Sequence, residues 1–142
     1  MRALLDVNVL IALLDSDHVH HRPAHAWLTS NIEAGWASCP ITQNGCIRIM
    51  SQTAYPGSLP ARAVAERLGV AMATPWHAFW PDSISLVDSA TLDWNSVLGS
   101  RQVTDVYLLA LAVRHAGRLV TFDRGVPLRA VAGASARHLA VI

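Results

Sequence analysis

Ala3-Leu4-Leu5-Asp6-Val7-Asn8-Val9-Leu10-Ile11 is the stretch on which the fold turns. Ala3 to Leu5 is apolar without alternation, the pattern of a strand covered on both faces, and residues 7–14 continue with helical spacing. Asp6 marks the junction. In open α/β sheets, ligands bind just outside the carboxyl ends of the strands, so a carboxylate placed there faces a site rather than the core. A charge set between two apolar runs also requires a partner.

The same strand-then-helix rhythm recurs along the chain. The pattern predicts helices over residues 19–32, 43–51 (capped by Thr42), 61–68, 105–116 (capped by Thr104) and 126–132. It predicts strands at residues 2–5, 35–39, 83–87, 118–122 and 138–142, with Trp76, Phe79 and Trp80 in a loop around Pro75 and Pro81. Alternating strands and helices imply an α/β fold, a mostly parallel sheet covered on both faces, in a single domain over residues 1–142.

Composition narrows the function classes. Cys39 and Cys46 match neither a zinc nor a redox spacing, and two cysteines are too few for a disulfide framework, so both read as buried thiols in a reducing cytosol. No uninterrupted apolar run approaches the roughly 18 residues of a membrane span, and Asp6 and Asn8 break the apolar start, so the reading is a cytoplasmic, soluble protein. The net charge of +1 argues against nonspecific nucleic-acid affinity. All 11 basic residues are arginine, the side chain suited to bidentate contact with phosphate or carboxylate, although codon bias produces the same composition. His21 and His25 are one helical turn apart, but without a Cys or acid beside them they read as a solvated helix face rather than a metal site.

Asp6 and Asp123 both terminate apolar strands, and Asp105 opens a helix. If those ends share one edge of a parallel sheet, the three carboxylates converge, and their mutual repulsion demands a cation or a shared proton. Oxygen-only ligands suit Mg²⁺ or Mn²⁺, which keep waters and bind phosphate, and the chemistry that follows is hydrolysis of a phosphodiester. Each acid also has a plain structural use. Asp105 complements a helix dipole, and Asp123 opens a turn with Gly125.

Read as a set, Leu4 to Ile11, Thr104-Asp105 and Thr121-Phe122-Asp123 resemble the ordered acidic motifs of the PIN (PilT N-terminal) domain over the whole chain. Pro40-Ile41-Thr42-Gln43-Asn44-Gly45 with Arg48, and His77-Ala78-Phe79-Trp80-Pro81-Asp82, further resemble the VapC toxins of toxin–antitoxin pairs. The resemblance implies a three-layer α/β/α sandwich with about five parallel strands. It also implies a Mg²⁺- or Mn²⁺-dependent endoribonuclease, a homodimer, RNA as substrate and a VapB-type antitoxin as inhibitor. Asp6, Asp105 and Asp123 become the metal ligands, Asn8 and Thr121 orient them, and Arg48 or Arg101 contacts phosphate or antitoxin. One departure stands out, since Gln43 occupies the place where the family carries glutamate. An amide brings no full charge and cannot act as a base, so Gln43 reads as a fourth catalytic position with weakened metal binding and cleavage.

Two readings from other classes compete. A PIN-like protein that has lost catalysis would act only by holding RNA or antitoxin, and Gln43 favours it. A phosphoryl-transfer domain using Asp6 as nucleophile would need an aspartate at Asn8 or a phosphate-binding lysine, and the chain has no lysine. Dinucleotide binding fails because no glycine-rich turn follows the first strand.

Overall fold

In the computed structural model, which describes residues 1–142, strand β1 (Ala3–Leu5) lies at the centre of a five-stranded sheet of order β3-β2-β1-β4-β5. It is flanked by β2 (Trp36–Ser38) and β4 (Arg118–Thr121), with β3 (His77–Phe79) outside β2 and β5 (Leu139–Val141) outside β4, all parallel. The helices are α1 (Val7–Leu14), α2 (His21–Asn31), α3 (Pro40–Met50), α4 (Ala61–Met72) and α5 (Val103–Arg114).

The pleat of β1 separates two cores. Leu4 packs with Leu119 of β4 beneath Val106, Leu109 and Ala110 of α5. Ala3 and Leu5 point the other way, with Val120, against Val9 and Leu10 of α1, Cys46 and Met50 of α3 and Val64 of α4. Successive strand side chains face opposite sides, so an unbroken apolar run is what a central strand with helices on both faces requires. Each fully buried Leu or Val contributes about 1.5–3 kcal/mol, and β1 places its three residues at 0–2% exposure. The three-layer α/β/α architecture and five-strand count agree with expectation.

The third strand does not. Residues 83–87 form no strand: Ile84 is buried, but Leu86 and Val87 are 42% and 89% exposed. The strand lies instead at His77–Phe79, inside the aromatic segment predicted as loop, in register with β2 through Trp36 and His77, Ala37 and Ala78, Ser38 and Phe79. An edge strand pairs on one side and needs no long apolar run, and Pro81 withholds an N–H soon after it ends. Residues 126–132 contain only a 3-10 turn, Leu128–Ala130, in place of the predicted helix.

Two helix starts also move. Helix α3 begins at Pro40 with Cys39 in the cap position, because proline's fixed φ suits the first helical residue. Thr42 is therefore inside the first turn, where its hydroxyl accepts the Cys39 N–H and donates to the Cys39 carbonyl, each at 3.0 Å. Helix α5 begins at Val103 behind a 3-10 turn, Ser100–Gln102, so Thr104 is likewise within the helix rather than its cap.

Candidate active site

Because every strand is parallel, all the carboxyl ends lie on one edge, and a cleft of about 640 Å³ opens there. Asp6, Asp105 and Asp123 all line it, with Thr104, Thr121 and Asn8. Asp6 caps α1 in extended conformation, and its backbone N–H donates to the Val120 carbonyl at 3.0 Å, tying the residue to β4. Its Oδ1 accepts the Val7 N–H at 2.7 Å and its Oδ2 accepts the Thr121 hydroxyl at 2.9 Å. The same Thr121 oxygen accepts the Asp123 N–H at 3.0 Å, while Asp123 Oδ1 accepts the Gly125 N–H at 2.6 Å. Thr121 thus holds the Asp6 carboxylate and the backbone of Asp123. Asn8 lines the cleft, exposed, and bonds to neither.

The placement of the acids sets their electrostatics. Asp6 is 7% exposed, and burial raises its pKa against the lowering effect of the Thr121 and Val7 hydrogen bonds, with the Asp123 charge raising it further. Asp105, 8% exposed, is pushed up to about 6 by burial, then by the charges of Asp6 and Asp123, and no hydrogen bond offsets this. Like charges this close are relieved by a proton or a cation. Arg48 and Arg101 line the same cleft, yet the chain's one ion pair is Arg62 with Glu66, far along α4, so neither guanidinium neutralises the cluster.

The residues fit a hard divalent cation. The polar lining is carboxylate, hydroxyl, amide and guanidinium, without a His or Cys. No three His, Cys, Asp or Glu side chains close tightly enough to enclose an ion by themselves. An open, oxygen-only set suits an ion that keeps several waters and takes the rest of its shell from substrate phosphate.

The sequence of residues 3–134 matches the family model described as PIN domain. The chain belongs to the PIN-domain family. This PIN domain is 53% identical over 142 residues to Ribonuclease VapC44 of Mycobacterium tuberculosis, covering 100% of both chains. Ribonuclease VapC39 of the same organism is 45% identical over 135 residues, covering 94% of this chain and 96% of that one. Among solved structures, VapBC2 from Rickettsia felis bound to a DNA fragment from its promoter superposes with a TM-score of 0.58. The match covers 87% of this chain and 89% of that one at 13% identity, and it shows the shared fold.

Within this PIN domain, Gln43 is not part of the cleft. Its amide donates to Ser38 Oγ at 2.9 Å and approaches Met72 Sδ at 3.7 Å, toward α4. Ser38 Oγ in turn lies 2.8 Å from His77 Nε2, so Gln43 ties α3 to strands β2 and β3. The reason is helix register. The α3 stripe facing the carboxylates runs through Ile41, Asn44, Gly45, Arg48 and Ile49, spacings of three and four, and Gln43 lies off it. Gln43 thus bonds on the β2 and α4 side of α3.

Two features were missed from sequence. Gly45 lets α3 approach α1, since a Cβ there would stand 2.7 Å from Val7 Cγ2. Asp82 lines the cleft, and the signal that finds it is the true position of β3, three residues upstream. The His21 and His25 rings lie 5.8 Å apart, tilted by 37°. Both cysteines are free and buried, with thiols raised to about 11 by burial. No helix is long and apolar enough to cross a membrane.

Proposed function

We infer that this chain is the toxin of a toxin–antitoxin pair, a divalent-metal-dependent endoribonuclease that cleaves RNA phosphodiesters. The observation that carries it is the trio Asp6, Asp105 and Asp123, brought to one cleft with unneutralised charge, in a chain 53% identical over its length to a named ribonuclease toxin. Asp6, Asp105 and Asp123 would hold Mg²⁺ or Mn²⁺. Such an ion, when bound, lowers the pKa of an attacking water and neutralises charge on the phosphate and the leaving oxygen.

The remaining work falls to the chain itself. The Val7 amide and Thr121 hydroxyl hold the Asp6 carboxylate in one rotamer, so it meets the ion without reorganising. Thr121 does the same for the backbone that carries Asp123. Arg48 and Arg101, unpaired on the cleft, supply bidentate contacts to the phosphates that flank the cleaved one. A VapB-type antitoxin is the protein partner, a second copy of the chain completes a homodimer, and the cytoplasm, where RNA is exposed, is the place of action.

The test is cleavage of single-stranded RNA by the purified chain with Mn²⁺ present. Asp6→Asn should abolish it while the variant keeps its circular dichroism. Cleavage by Asp6→Asn at the rate of the parent protein would remove the proposed cluster.

A further inference from the structure

Helix α2 carries His21 in its first turn and His25 one turn further on, and neither lines the carboxylate cleft. Their spacing alone reads as a solvated face, but the structure fixes one of the two rings. His21 Nδ1 lies 2.7 Å from the Ala12 carbonyl, among the last carbonyls of α1, which have no partner within that helix. A carbonyl only accepts, so Nδ1 carries the proton and, in the neutral ring, Nε2 keeps its lone pair. A backbone carbonyl on one ring nitrogen is what sets the tautomer of metal-binding histidines. His25 is exposed, so its ring turns freely to meet the first.

The distance between the rings fits a shared ion. Their centroids are 5.8 Å apart, with planes tilted by 37°. Two imidazoles on one ion, each at a nitrogen–metal distance of about 2.1 Å, have centroids about 5.2 Å apart at the tetrahedral angle and at most about 6.4 Å apart at any angle. The observed separation lies inside that range. The other histidines of the segment are engaged elsewhere: His18 Nδ1 accepts the His20 N–H at 3.1 Å, and the His20 ring packs on Phe122 with centroids 4.7 Å apart. A hollow of about 200 Å³ lined by His21, Arg22, His25 and Ala26 leaves room for water beside the pair. Arg22 is exposed, where solvent and salt screen its charge.

We propose that His21 and His25 form a metal site of their own, separate from the carboxylate cleft, which takes an imidazole-favouring divalent ion such as Zn²⁺, Ni²⁺ or Cu²⁺ with water in the remaining positions. The ion bridges one turn of a helix with little local support. His20, at its cap position, makes no side-chain hydrogen bond, its first turn holds no acid, and Ala24 is its one buried residue. Ligand chemistry sorts the two places, since oxygen ligands suit Mn²⁺ and imidazole suits Ni²⁺.

Calorimetric titration of Ni²⁺ into the full chain, free of any affinity tag, tests the site. The parent should take up Ni²⁺. His25→Gln should bind it at least about 10-fold more weakly, because removing even a group that only orients a metal ligand costs that much. This variant leaves the Ala12 contact in place and carries the test by itself; His21→Gln should lose as much. His18→Gln should match the parent, and Asp6→Asn should keep the histidine-dependent binding, which separates this uptake from any in the cleft. The paramagnetic resonance spectrum of bound Cu²⁺ should show two nitrogen ligands in the parent and one in His25→Gln. Circular dichroism of the metal-free variants should be unchanged. Parent-like Ni²⁺ affinity in His25→Gln, no uptake by the parent, uptake that disappears in Asp6→Asn, or an equal loss in His18→Gln would each overturn the site.

Discussion

Asp6 and Gln43 show how differently single residues reveal themselves. A carboxylate between two apolar runs has no bland explanation, and the structure gives it two hydrogen bonds and two acidic neighbours. Gln43 looks like a ligand because it follows a threonine, as Asp105 does, yet its amide is spent on Ser38 and Met72. Replacing Gln43 with Glu should therefore leave Mn²⁺ affinity and cleavage unchanged instead of raising them. It should also cost about 1 kcal/mol of stability, because the donor to Ser38 is lost and a charge is set against a thioether. Urea unfolding beside calorimetry reads both outcomes. A gain in Mn²⁺ affinity would restore Gln43 to the site.

At the scale of elements, burial explains which assignments were legible. Helix α5 is buried continuously from Val106 to Ala112, and its existence, though not its first residue, is legible in the apolar sequence. Strands β1 and β4 are central and read as apolar runs. Strand β3 lies at the edge and is half-exposed, so its three residues carry no pattern that competes with the alternation of residues 83–87. The α1–α3 contact is the element pair that shapes the cleft, and Gly45 permits it. Gly45→Ala improves helix propensity by about 1 kcal/mol, but its methyl would strike Val7, whose branch leaves little room to rotate. The net effect should be a loss of about 1–2 kcal/mol in thermal or urea unfolding, the usual cost of overpacking. A more stable Gly45→Ala variant would mean that α1 and α3 separate freely.

For the whole molecule, the converging acids link stability to pH. Asp105 is pushed up to about 6 in the fold, above the ordinary aspartate range, and Asp6 shifts in the same direction. A carboxyl with a raised folded pKa holds its proton more tightly in the fold, so its ionisation destabilises the native state. The metal-free protein should then lose stability as pH rises from about 4 through about 6 and lose no more from this source above that. Added Mn²⁺ favours the ionised acids, so its rise in melting temperature should be largest above about pH 7 and nearly absent below about pH 5. Equal Mn²⁺ shifts at both ends would show that Asp105 does not titrate on binding. By itself the sequence determined the α/β class, the central strands and the acids at their ends, because burial on both faces and an isolated charge leave local marks. Only the tertiary structure decided the edge strand, the turn of α3 that sends Gln43 away, and the arrival of Asp82. Each of these depends on which neighbour an element packs against, and that information is spread over residues far apart in the chain.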